Sequence, residues 1–227
     1  MHKMWWKILC VVLLLYTFII GLIIHVPARF VLYETIRNVF FHVPCWFAMI
    51  LLLSVSLWHS VKYLRNNGII HDIIAAQSAN VALVFGILGF ATGMLWGEYT
   101  WGDMISWLFN DTKILGAFIG VMIYAAYFVL RGSIEDEEKR ARVAAVYSIF
   151  AFILLNAFVF VIPRLTDSLH PGNGGNPAFA MYDLDNTMRM VFYPAIIAYF
   201  LLGLWISTLL IRIKLLHYKM HDITLLL

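Results

Sequence analysis

"WWKILCVVLLLYTFIIGLIIHV", Trp5 to Val26, carries a single charge, Lys7. A bilayer core holds no water to satisfy backbone N–H and C=O groups, so a chain crosses it as a helix of about 20 apolar residues. This stretch is longer than the apolar region of a signal peptide and lacks a small-residue cleavage site, so it reads as a span over 5–26. Five more stretches follow the same pattern, at about 42–63, 73–95, 113–131, 143–163 and 190–212. The sequence therefore predicts an all-α membrane protein, a six-transmembrane-helix bundle forming one integral membrane domain over 1–227.

Composition points the same way. The chain is 63% hydrophobic and 13% charged, with a mean hydropathy of +0.84. Soluble domains are about half apolar and about a quarter charged. The net charge of +3 includes no basic run of the kind that binds nucleic acid. Cys10 and Cys45 lie in or beside apolar runs and form no CxxC or CxxCH, which leaves no thiol redox pair, cysteine zinc site or covalent c-type haem attachment. They read as small buried hydrophobes. Gly89 with Gly93, and Gly116 with Gly120, form GxxxG pairs suited to close helix packing. The spans offer Gln77, Asn80 and Asn156 but no expected buried acid or base, which weakens a transporter reading.

Lys and Arg asymmetry sets orientation. With a cytoplasmic N-terminus, the inner regions hold eleven of these residues and the outer regions five, so both termini are expected inside. The acidic run "EDEE" at 135–138 contributes little to that rule. The outer face then holds segments 27–41, 96–112 and 164–189, which are richer in aromatics, Gly and Pro than the short charged inner connections. Function is usually carried on such loops.

One outer connection is "WGEYTWGDMISW", 96–107, with Trp96, Trp101 and Trp107. Spacings of five and six put these indoles on no common helical face, and Gly97 and Gly102 argue against one regular helix. An external tryptophan-rich interfacial segment of broken helical turns is expected. It can be an aromatic belt at the membrane surface, or a flat apolar platform for a large planar ligand.

Histidines separate the two. His2, His59, His71, His217 and His221 sort to the inner side, and His25, His42 and His170 to the outer side. Any one of them can be an ordinary interfacial polar residue. His42 in "NVFFHVPCWF" and His170 in "DSLHPGNGG" flank the tryptophan segment. Two neutral imidazoles can hold haem iron from both faces. Glycines and prolines after His170 let backbone approach a macrocycle edge. "HVP" occurs at 25–27 and again at 42–44, and spacing alone does not choose between His25 and His42. Ligands on one side only suit reception and handover of haem better than electron transfer across the bilayer.

The chain resembles a known family, the membrane proteins of cytochrome c maturation that handle haem through a tryptophan-rich (WWD-type) external motif, with the haem exporter protein C family as the closest in span number and length. The resemblance covers nearly the whole chain. It rests on Arg37 five residues before "HVP" at 42–44, on "WGEYTWGDMISW", and on Leu169 and His170 followed by Gly172. It implies haem b held non-covalently, with His42 and His170 as axial ligands and His42 preferred over His25. Trp96, Gly97, Trp101, Gly102 and Trp107 become the platform, and Arg37 a bidentate partner for a propionate. It further implies an inner-membrane protein whose periplasmic site presents haem to a periplasmic haem chaperone, beside a separate ABC transporter complex, and which is not a conventional enzyme. The family motif often continues Trp-Asp, then Arg, then Thr. Here Leu108 and Asn110 occupy the first two variable positions while Thr112 fits, and Asp103, Asp111 or Lys113 stand nearby as substitutes. Two rivals are a haem lyase-type subunit of cytochrome c synthesis and a scaffold or transporter with an aromatic belt.

Overall fold

A computed structural model describes residues 4–168, 170, 178–179 and 183–224. Among these there is no strand and there are seven α-helices: α1 (Trp5–Ile23), α2 (Val39–Asn66), α3 (Ile69–Thr100), α4 (Met104–Asn110), α5 (Thr112–Gly132), α6 (Glu137–Asn156) and α7 (Asn186–Thr224). A 3-10 helix, Tyr33–Asn38, precedes α2, and a π-helical turn, Ala157–Val161, extends α6. All but α4 belong to segments long and apolar enough to cross a membrane, which makes six such spans.

The helices overrun the apolar stretches that announce them. α3 ends five residues beyond its expected limit, α6 starts six earlier, and α7 extends at both ends. Hydropathy marks the part of a helix that lies in hydrocarbon, while capped and ion-paired turns continue into water. Asp136 caps α6 by accepting from Lys139 N at 2.7 Å, and Arg140 and Arg142 pair with Glu137 and Glu138 one turn away. At ~1.5 Å per residue α3 is ~48 Å long, against a hydrocarbon core of ~30 Å. Its last turns therefore lift Trp96 and Gly97 to the rim of the bundle. α1 is the exception, stopping at Ile23 because Ile24 turns extended ahead of "HVP".

Lipid tails are as apolar as leucine, so helices associate here through close packing rather than exclusion from water. Along α3, Ala75, Ala79, Ala82, Gly86, Gly89 and Gly93 recur at alternating intervals of four and three. A β-carbon on Gly86 would come 2.6 Å from Met49 Sδ, and one on Gly89 3.0 Å from Trp46 Nε1. Both partners lie on α2, so this is the α2–α3 seam. Asn67, left-handed at φ 51°, and Gly68 make a two-residue connection that folds the pair antiparallel. The second expected small-residue pair, Gly116 and Gly120, faces α6 and its π-helical turn, where a β-carbon on Gly116 would meet Phe158 O at 2.2 Å.

The bundle centre is filled by Met49, Leu52, Leu53, Tyr124 and Leu155, all fully covered, with Phe85 and Tyr199 against them. One expectation is corrected. The spans do hold a buried acid, paired with a half-buried base: Asp72 near the start of α3, 5% exposed, receives both terminal nitrogens of Arg131 from the end of α5, one of them at 2.7 Å. Four residues separate each from its helix end or less, too near the boundary for an apolar count to flag.

Candidate functional site

The α3–α4 corner is built by glycines. Gly97 lies inside α3, where a β-carbon would collide with Met104 Sδ at 2.3 Å, so its bareness lets α4 fold back over the end of α3. Gly102 takes φ +66° and Asp103 φ 45°, which turns the chain out of one helix into the next. Asp103 then caps α4 by accepting from Ser106 N at 3.3 Å. The broken interfacial segment is thus more ordered than expected. Trp96 and Gly97 belong to the last turns of a spanning helix, and only Trp101–Asp103 is non-helical. This explains how Trp96 and Trp101, which would diverge on one helix, come to face the same space.

That space is a cavity of about 500 Å³, within the usual range for small-molecule and cofactor sites. Both His42 and His170 line it, together with Trp96, Gly97 and Trp101. His42 sits in the first turn of α2 with its ring on Gly93 of α3, where a β-carbon would come 2.6 Å from Cε1. His42 Nδ1 is 3.2 Å from Thr92 Oγ1. Thr92 Oγ1 also reaches Leu88 O at 2.8 Å and Gly89 O at 3.0 Å, so the threonine is held from its own helix and in turn orients the ring. Trp96 lies edge-on to His42, with centroids 6.0 Å apart, and its indole N–H donates to Thr35 Oγ1 at 3.0 Å. Trp46, one turn along α2, is also edge-on to His42, with centroids 6.5 Å apart.

His170 approaches from the segment between α6 and α7. Trp101 packs on it with centroids 5.4 Å apart. Its backbone N–H donates to Ser168 Oγ at 3.1 Å, and Ser168 donates to the Asp111 carboxylate, whose Oδ2 is 2.9 Å away. Asp111 is 3% exposed and caps α5, accepting from Lys113 N at 2.9 Å and Ile114 N at 3.0 Å. One carboxylate therefore ties together the tryptophan segment, the α5 terminus and the His170 segment. Burial pushes the His170 imidazole down to about 4; Asp111 pulls it upward and Lys113 presses it further down. The ring is neutral at pH 7. Its Nδ1 is buried without a hydrogen-bond partner, 4.0 Å from Asp111 Oδ1.

The remaining expected residues divide. Gly102 and Trp107 do not line the cavity: Gly102 makes the turn, and Trp107 sits on α4, which accounts for neither stacking nor contact with the two histidines. Arg37 does not line it either. Its Nε donates to Glu34 at 2.7 Å, and Nη1 donates to Gly21 O at 3.3 Å and to Ile24 O, which caps the end of α1. His25 is exposed and lies away from the cavity. Leu169 and Gly172 of the third motif lie outside the described residues. The sequence reading did not single out Thr92, Trp46 or Ser168, nor the cations Arg29 and Arg164, which line the cavity with Lys113. Thr92 and Ser168 act through contacts made across 50 or more positions, His42 with Thr92 and Asp111 with Ser168, and no local spacing signals them.

Two imidazoles, indole faces, apolar walls and lining cations match a flat, apolar macrocycle that bears carboxylates. The orphaned Nδ1 of His170 fits that group as well, and the bare backbone at Gly93 makes room for the His42 ring.

A sequence model of the family described as heme exporter protein C matches residues 1–225. A protein of that name from Bradyrhizobium diazoefficiens is 28% identical over 129 residues, which cover 56% of this chain and 48% of that protein. Another from Paracoccus denitrificans is 23% identical over 185 residues, covering 79% and 72%. Cytochrome c biogenesis protein CcsA of Prochlorococcus marinus is 32% identical over 83 residues, 37% of this chain and 26% of that one. The match thus spans about half of the Bradyrhizobium protein and about a quarter of this CcsA.

Proposed function

The chain belongs to the haem exporter protein C family, and from that premise we propose that it binds one haem b non-covalently at the outer face of the inner membrane and presents it to a periplasmic haem chaperone during cytochrome c biogenesis. The observation that carries this reading is the shared cavity: His42 and His170, 128 positions apart, line one apolar space with Trp96 and Trp101. His42 and His170 would hold the iron, with Thr92 keeping one ring and the Asp111–Ser168 link the other in place. Bound haem would be the cargo, for later attachment to apocytochromes c.

The work of this chain is to bind, orient and shield. Trp96 and Trp101 cover the apolar macrocycle, while Lys113 and Arg164, which line the same cavity, face the propionates. Arg37 acts one step away, by fixing the corner between α1 and the 3-10 helix that supplies Thr35. Both termini lie on the cytoplasmic side and the cavity on the periplasmic side. The reading requires no catalysis by this chain, and an ATP-driven step belongs to a separate transporter complex. The deciding experiment is an absorption spectrum of protein purified in mild detergent, oxidised and reduced, beside His42→Ala, His170→Ala and His25→Ala. A six-coordinate b-type spectrum disturbed by the first two and not the third is the expected result. No haem uptake, or spectra indifferent to both ligand variants, would overturn it in favour of an aromatic-belt scaffold.

A further inference from the structure

A second cavity, of about 450 Å³, lies at the opposite end of the bundle, between α3, α5, α6 and α7. On α3 it is lined by residues 72–80, while the first cavity takes residues 90–97. Between them Val81, Ala82 and Phe85 are buried, and on α5 Tyr124 and Tyr127 fill the corresponding level. The two cavities are separate sites.

The lining of the second is polar. Arg131 and Arg140 face it, each already held by a carboxylate, Asp72 and Glu137 respectively. Lys214 of α7 also faces it. Its ammonium stands 5.5 Å from the Tyr218 ring centroid and has no carboxylate partner among the described residues. Gln77 and Asn80, one turn apart on a spanning helix, line the wall as well, and neither amide has a hydrogen-bond partner among the described residues. Gln77 is half-buried and Asn80 exposed, so both amides are open to a ligand, and a polar group on a spanning helix marks a site by default. Three cations against two carboxylates leave the cavity positive.

We propose that this cavity binds a phosphate-ester anion, with Lys214 as its counter-charge and the amides of Gln77 and Asn80 as donors to its oxygens. Arg131 and Arg140 are kept extended into the space by their carboxylates and add charge-assisted donors. A basic pocket between helices at the membrane surface suits a phospholipid headgroup; a soluble phosphate ester offers the same chemistry.

The test is native mass spectrometry of the full chain with dioleoyl-phosphatidylglycerol, with dioleoylglycerol and with glycerol 3-phosphate, for the parent, Lys214→Gln and Gln77→Leu/Asn80→Leu. The parent is expected to retain phosphatidylglycerol and not dioleoylglycerol, with retention falling at least tenfold in the variants. If glycerol 3-phosphate does not bind, the source is lipid. If it binds with the same sensitivity to the variants, the source is a soluble ester. Equal retention by parent and variants, or equal binding of dioleoylglycerol, overturns the proposal. Lys214 is exposed, so the first variant keeps the fold. The haem spectrum reports independently on the other end of the molecule.

Discussion

The imidazole of His42 lies on the bare backbone of Gly93: a β-carbon there would come 2.6 Å from Cε1 and 3.2 Å from Nδ1. A histidine ring cannot yield by that amount without leaving its rotamer or moving α2 away from α3. Gly93→Ala should therefore displace the ring while helix content by circular dichroism stays unchanged, and haem retention should fall by at least tenfold. Transfer of haem to excess apomyoglobin measures that rate. Retention equal to the parent would show that His42 does not hold the ligand from this position.

Thr92 Oγ1 sits 3.2 Å from His42 Nδ1 and holds the ring, and Nε2 would be the atom offered to the iron. Partners that orient a ligating histidine are worth about 10–100-fold in affinity. Thr92→Val keeps the shape and removes the hydroxyl. Loss within that range is expected by haem titration, with Thr92→Ser restoring most of it.

Asp111 and Ser168 separate two effects in one network. Ser168→Ala removes the hydroxyl that joins the His170 backbone to Asp111. It should weaken haem retention with little change in melting temperature. Asp111→Ala also removes the α5 cap, at a cost of about 1 kcal/mol, so it should lower both. Equal thermal shifts in the two variants would contradict the cap.

Burial pushes the His170 imidazole down from its ordinary 6.5 to about 4. A folded-state value below the ordinary 6.5 means that the fold favours the neutral ring. Its contribution to stability is complete above pH 6.5 and declines as pH falls from there toward 4. In the apoprotein, the His170 ring resonance, assigned with His170→Gln, should keep its neutral shift at pH 5.5. A midpoint near 6.5 would mean that the ring is in contact with water.

At the other end, Asp72→Asn leaves the half-buried Arg131 guanidinium without its counter-charge. Breaking a buried pair from one side costs about 3–5 kcal/mol. The variant should melt well below the parent, and its haem spectrum should be unchanged where protein survives. An unshifted melting temperature would show that water reaches Arg131 through the second cavity.

The sequence by itself determined the spans, because a bilayer forces any crossing segment to be long, apolar and helical, and that requirement is written residue by residue. The six stretches all recur as helices, and the small residues at 86, 89 and 93 mark the α2–α3 seam. Local sequence also marked His42, His170, Trp96 and Trp101. Tertiary structure alone decided which of the marked residues share a space. Where α3 ends and α4 begins depends on Met104 folding against Gly97, so Trp96 and Trp101 meet the histidines while Trp107 does not. Arg37 is engaged at the end of α1, and Lys113 and Arg164 line the cavity in its stead. Hydropathy reports one residue's preference for lipid. A site depends on the rotation and offset of helices against one another, which are set by contacts between residues far apart in the chain, such as Ser168 with Asp111 and Thr92 with His42.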